Sequence, residues 1–77
     1  MKLEIISPEK ILFSGDVSSV TLPGVMGSFT ILKDHAPIIS ELIEGTIIYN
    51  IDGKEVSQPV KSGFIEAKRN IVTICVE

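Results

Sequence analysis

The sequence predicts an all-β domain, with antiparallel sheets folded over each other as a β-sandwich. Three observations carry that prediction. Nearly every segment is short, rich in Val, Ile and Thr, and closed by Gly, Pro, Asn or Asp. No stretch of helical length repeats its apolar residues every 3.6 positions. The strand-like runs also follow one another too closely to leave room for the helices that parallel crossovers use.

Taken in order, Lys2 to Ile6 is the first strand, and Ser7-Pro8-Glu9-Lys10 is a turn with proline where a fixed φ suits it. Ile11 to Val17 returns, with a bulge expected at Gly15. Ser18 to Leu22 follows, placing Val20 and Leu22 on one face. Pro23-Gly24-Val25-Met26-Gly27 reads as a loop, before a short strand from Ser28 to Leu32. Pro37 to Ile43 and Thr46 to Ile51 are further strands, parted near Glu44-Gly45. Asp52-Gly53 is a two-residue hairpin signal of type I′. Its partner runs from Lys54 to Gln58, and Pro59 confines that strand to an edge or an end. Gly63 to Lys68 and Ile71 to Val76 pair across Arg69-Asn70. There is no linker, repeat or low-complexity tract, so residues 1–77 form one domain.

At 77 residues the chain lies near the lower limit at which a hydrophobic core alone sustains a fold. A deep substrate cleft does not fit such a body. Hydrophobic residues nevertheless make up 44% of it, more than a body with so much surface needs, which points to apolar surface that meets a partner. Strand parity points the same way. Ile48 falls on the polar side of its strand and Phe64 lies in line with Glu66 and Lys68; Leu12, Ile39 and Ile43 are also out of step. Scattered surface hydrophobes are the plain alternative.

A net charge of -3 and 5% aromatics supply neither the basic patch nor the stacking platform of a nucleic-acid binder. One cysteine, Cys75, cannot close an internal disulfide, and the opening MKLEIIS has no apolar run long enough for a signal peptide or a membrane span. The expectation is an intracellular, soluble chain.

Catalytic chemistry finds little to work with. His35 is the only histidine, no serine sits in a G-x-S-x-G elbow, and Cys75 lies mid-strand among apolar neighbours. Transition-metal sites want several His or Cys ligands, and this chain has one of each. Gly24-Val25-Met26-Gly27-Ser28 lacks the lysine and the following helix of a phosphate loop. Asp16, Asp34, Glu41 and Glu44 fall at no spacing that marks a paired acid and base. The sequence thus indicates no catalytic, cofactor or metal site. In "LKDHAPIISEL", Asp34 favours a turn and Pro37 drives Ala36 towards an extended conformation, so His35 stands on a stiff loop. It is either bonded to local backbone or a contact residue aimed at a partner.

The run "LPGVMGSFTILKDHAPII" resembles the signature of the epsilon subunit of F-type ATP synthase: a Gly-rich loop, then Gly-Ile-Leu-Pro, then His-Ala-Pro followed by apolar residues. "IISPEKILFSGDVSSVTLPG", "ELIEGTIIY" and "SGFIEAKRNIVTICVE" are similar to the family's opening, middle and closing segments, so the resemblance runs through nearly the whole chain. Thr30 and Lys33 depart from it, standing where the family often has glycine and proline. The resemblance implies a sandwich of about ten short strands in the central stalk of the rotor. It packs on the gamma subunit, with one end against the membrane ring of c subunits. It places Ser28 and Phe29 towards the ring, and Ser7, His35 and Ser40 towards gamma. Asp34, Ile48 and Phe64 join them as candidate contact residues, the last two from strand parity. The resemblance assigns no residue of 1–77 to the two C-terminal helices common in the family or to their nucleotide site.

The function this implies is a non-catalytic rotor part that couples proton-driven rotation of the c-ring to gamma and so to ATP synthesis. It would sit at the cytoplasmic face of the bacterial inner membrane, peripheral and held there only through the complex. Two other classes stay open on the residues alone. One is a free-standing module that binds peptides along a sheet edge; the other is a small enzyme using His35 as a general base.

Overall fold

The computed structural model describes all 77 residues. Nine strands run through the chain: β1 (Lys2–Ile6), β2 (Ile11–Asp16), β3 (Ser19–Gly24), β4 (Gly27–Leu32), β5 (Ile38–Leu42), β6 (Gly45–Ile51), β7 (Lys54–Val60), β8 (Gly63–Lys68) and β9 (Ile71–Val76). There is no helix. Two layers result, one ordered β2-β1-β9-β8-β5 and the other β4-β3-β6-β7, joined where Gly24 of β3 pairs with Leu42 of β5.

The sandwich predicted from the sequence is therefore present, with nine strands. One ladder departs from the antiparallel rule: β1 pairs with β9 in parallel, Leu3 beside Val72 and Ile5 beside Ile74. A parallel neighbour needs a long crossover, and here the crossover is the whole intervening chain.

Strand parity builds the core. Leu3 and Ile5 on β1, Ile65 and Ala67 on β8, and Val72, Ile74 and Val76 on β9 point inward from one layer. Val20 and Leu22 on β3, Ile31 on β4, and Ile47 and Tyr49 on β6 meet them from the other. Each fully buried Leu or Ile contributes about 1.5–3 kcal/mol, which in so small a chain makes every one of them matter. Phe13 reaches across from β2 to Tyr49, ring centroids 4.5 Å apart and planes tilted by 40°.

Two expectations change in detail. β3 continues through Pro23 and Gly24, so the loop shrinks to Val25 and Met26. Residues 19–21 of β3 pair with β6, whereas Gly24 pairs with β5, so the proline falls where the strand changes partner sheets. A residue without an N–H is tolerated at such a switch. Its ring leaves no space above Gly45, where an added Cβ would come within 2.8 Å of Pro23 Cβ. The bulge lies at Leu12 instead of Gly15, because Ile5 faces Phe13 while Ile6 faces Ile11. Gly15 instead lies under the Phe13 ring.

The two-residue turns at Asp52-Gly53 and Arg69-Asn70 are of type I′, unlike the Val25-Met26 tip, where neither residue has a positive φ. Asp52 and Gly53 have φ of 50° and 82°, and Arg69 and Asn70 have 53° and 60°. Pro59 lies in β7, the outermost strand of its layer, as the edge expectation requires.

Candidate interaction surface

The strands divide the turns between two ends of the sandwich. One end carries the β1–β2 turn at Ser7–Lys10, the Val25-Met26 tip, the β5–β6 turn and the start of β8 at Gly63. The other carries Met1, the segment 33–37, Asp52-Gly53 and Arg69-Asn70. Across the length of β4 the ends stand roughly 17 Å apart, at about 3.3 Å per residue.

Register makes the outer face of the first layer readable row by row. Glu41, Phe64, Cys75, Ile6 and Ile11 lie side by side across β5, β8, β9, β1 and β2. In the next row Ile39 faces Glu66, and beyond it Ile71 faces Lys68. Ile39 is 74% exposed, Ile11 60%, Phe64 51% and Ile71 50%. Phe64 stands between two shallow grooves. One, of about 690 Å³, has Ile39 on its far side and the carboxylates Glu41 and Glu77 along it. The other, of about 280 Å³, runs past Cys75 to Ile6, Ser7 and Pro8. Exposed apolar side chains that share one face are the pattern of a contact surface, unlike the same residues scattered singly.

Ile48 belongs elsewhere. It lies on the outer face of the second layer, paired with Thr21, whose hydroxyl is 2.8 Å from that of Thr30. A single flat partner meets Phe64 or Ile48, and Ile48 is the less exposed at 36%.

The sequence-derived residues sort by these ends. Ser7 is half-buried, and its hydroxyl serves its own turn, accepting from the Glu9 and Lys10 N–H groups and donating to the Lys10 carbonyl. Ser40 is also half-buried and donates to the Glu41 carbonyl at 3.1 Å. Ser28 is exposed beside the tip, opposite Pro23. Phe29 is turned inward against the core, its ring so close over Gly24 that a Cβ there would lie 2.7 Å from it. Its neighbour Met26, by contrast, is 96% exposed.

Asp34 and His35 occupy the opposite end. The Asp34 N–H donates to Asn70 Oδ1 at 2.6 Å, and the Asn70 amide donates to Asp34 Oδ1 at 3.0 Å. The His35 N–H donates to the Leu32 carbonyl at 3.1 Å, and His35 Nδ1 lies 2.7 Å from the Ala36 carbonyl. The imidazole is bonded to its own backbone, as one of the two sequence readings expects, and remains exposed.

Sequence reasoning missed Asn70, seen there only as a turn residue, along with Ile6, Ile11 and the tip at Met26. Asn70 has a local signal, since asparagine tolerates positive φ, but its partner is 36 positions away. No group of three or more His, Cys, Asp or Glu side chains comes together in the fold. Cys75 is free and half-buried, and no helix is long and apolar enough to cross a membrane.

Residues 1–77 match the family described as ATP synthase, Delta/Epsilon chain, beta-sandwich domain. The chain belongs to the ATP synthase delta/epsilon-chain β-sandwich family. The ATP synthase epsilon chain of Chlorobium limicola is 39% identical over 77 residues, a span of 99% of this chain and 88% of that one. The epsilon chain of a Nitratiruptor species is 42% identical over 78 residues, and that of a Sulfurovum species 40% over 78. The chain spans 60% and 61% of the length of those two relatives.

Two solved chains superpose closely. A chain of the Euglena gracilis mitochondrial ATP synthase, captured with OSCP, F1 and c-ring, gives a TM-score of 0.90 at 18% identity, covering 96% of this chain and 48% of that one. A chain of the Tetrahymena thermophila mitochondrial ATP synthase central stalk and c-ring gives 0.82 at 18%, covering 97% and 61%. At that identity the likeness establishes the fold.

Proposed function

We propose that this chain is a non-catalytic central-stalk subunit of a proton-translocating ATP synthase, coupling rotation of the c-ring to the gamma subunit. The observation that carries the reading is the match along the entire chain to the epsilon-chain sandwich, including a relative of which it spans 88%. The geometry supplies the mechanism. Of the 46 backbone hydrogen bonds, 38 lie within the strands, and a shared core ties the two layers, so the body resists the shear that a torque-bearing part meets. It also offers contacts in two places: the outer face of β5-β8-β9-β1-β2, where Phe64, Ile39 and Ile11 stand exposed among charged residues, for gamma, and the end bearing Ser28 and Met26 for the ring.

On this reading Phe64 is the apolar anchor of the gamma contact, with Ser7 and Ser40 near one end of the docking face and His35 with Asp34 at the other. Ser28 lies on the ring side, where Met26 and not Phe29 supplies the exposed apolar group. The subunit is part of a membrane-associated complex, at the cytoplasmic face in a bacterium, and reaches the membrane through its partners.

Co-expression with the gamma subunit of the same source tests the proposal. Co-elution of the two chains on size exclusion is the expected result. Separate elution at concentrations well above a micromolar dissociation constant removes the rotor reading and favours a free-standing module.

A further inference from the structure

We propose that this chain, before it is assembled, pairs with a second copy of itself through the outer face of the β5-β8-β9-β1-β2 layer, where two stripes of opposite charge match their own reversed image. The inference goes beyond the rotor reading and does not depend on it. Thr73 lies between Glu66 of β8 and Glu4 of β1, and one row further along the strands Ile71 lies between Lys68 and Lys2. All four charged side chains point outward, because their strand neighbours Leu3, Ile65, Ala67 and Val72 are buried inward. Like charges in a row stand about 10 Å apart, and the two rows are separated by about 7 Å. A partner for this face needs a basic row over the acidic one and an acidic row over the basic one. A half-turn of the same face supplies both.

The charges also fix which half-turn it is. About an axis that runs across the strands between the two rows, each strand lies over its own copy with the rows exchanged. Glu66 then meets Lys68 of the second copy, Glu4 meets Lys2, and the reverse contacts complete four ion pairs between sheets stacked about 10 Å apart. Thr73 meets the exposed Ile71, beside a shallow groove of about 210 Å³ bounded by Glu66, Lys68 and Thr73. At the β5 edge the exposed Ile39 meets Pro37, which continues the register beside Lys68. The other half-turn, about an axis along the strands, sets Glu66 against Glu4 and Lys68 against Lys2, like on like. Size agrees as well. A standard interface covers about 800 Å² on each partner, about a sixth of the 4885 Å² that this chain exposes, and one broad face of a body of 25 × 24 × 19 Å has that extent. Because this face is also the one assigned to gamma, the second copy and gamma exclude each other.

The test is sedimentation equilibrium of the whole chain, without gamma, at concentrations up to about 1 mM, where even a weak pair is populated. The expected result is a dimer whose dissociation constant rises about 10-fold or more between about 0.05 M and 0.5 M salt, as four exposed ion pairs are screened. Two double variants keep the net charge of -3 and separate geometry from bulk charge. Lys2→Glu with Glu66→Lys sets like against like over both β1 and β8 and is expected to weaken pairing about 10-fold or more. Lys2→Glu with Glu4→Lys exchanges the two charges within β1, keeps every match, and is expected to pair like the unmodified chain. Both carry Lys2→Glu, so any local effect on Asp16 across the β1–β2 ladder is common to them. A chain that stays monomeric at every concentration, a dimer indifferent to salt, a first variant that pairs like the unmodified chain, or a second that pairs no better than the first each overturns the inference. None of these outcomes touches the rotor reading, which co-elution with gamma decides.

Discussion

Asp34 and Asn70 hold each other through a reciprocal pair of hydrogen bonds, 2.6 Å from the Asp34 N–H to Asn70 Oδ1 and 3.0 Å from the Asn70 amide to Asp34 Oδ1. Both sit at positive φ, 64° and 60°. The two substitutions at this pair should differ. Asn70→Gly loses both bonds and is expected to cost about 1 kcal/mol, a fall of about 4–8 °C in Tm for a domain this small. Asp34→Gly loses only the side-chain bond and gains a residue at ease with positive φ, so its Tm is expected to stay close to that of the unmodified chain. Thermal denaturation of both variants separates these effects.

Phe64 and Ile48 were equivalent in the sequence, each an apolar residue out of step in its strand, and the fold sets them on opposite faces. Phe64→Asp is expected to weaken gamma binding by about 30-fold or more, as loss of a buried aromatic anchor does, with little change in the Tm of the isolated chain. Ile48→Asp, on the face beside Thr21 and Thr30, is expected to leave that affinity unchanged. Titration of both variants with gamma decides which face docks.

That pair also marks how much of the molecule was legible in the sequence. Turn chemistry at Asp52-Gly53 and short Val- and Ile-rich runs located all nine strands, because period and punctuation are local properties. Pro23 misled, since a strand that changes sheets at a proline looks like a strand that stops there. The parallel pairing of β1 with β9, and the meeting of Asp34 with Asn70, arise only when distant segments come together. Parity showed which apolar residues were out of step, but which of them share a surface depends on sheet order. Phe29, placed towards the ring by the family resemblance, folds its side chain over Gly24, a contact across the β3–β4 hairpin that sequence alone did not show.

Two glycines separate steric from conformational demands. A Cβ on Gly63 would collide with the Cys75 carbonyl oxygen, a backbone atom in the paired strand that cannot rotate away. Gly63→Ala is expected to cost about 3 kcal/mol or more, by forcing β8 from β9. At Gly53 nothing lies within 4 Å, and the demand is a φ of 82°, so Gly53→Ala is expected to cost about 1 kcal/mol. Urea denaturation of the two variants should rank them in that order.

Tyr49 is the one tyrosine, and burial raises its phenol above the usual value near 10. With a higher folded than unfolded value, the folded state holds its proton after the unfolded chain has released it. The stability from this group is therefore whole below about pH 10 and is lost as pH rises from there through the folded value. Phenolate absorbance should appear later in the folded chain than in denaturant. Tyr49→Phe is expected to flatten the tyrosine part of the alkaline fall in Tm.

In the proposed rotor role this rigid sandwich would transmit motion between larger partners and transform no molecule itself. The most direct measurement is proton pumping per ATP hydrolysed in vesicles carrying the rotary enzyme stripped of its epsilon chain, with and without this chain added back. A rise in protons moved per ATP when the chain binds, and no hydrolysis by the chain alone, is the expected result. A ratio that stays the same with the chain demonstrably bound, or turnover of ATP by the isolated chain, would contradict it.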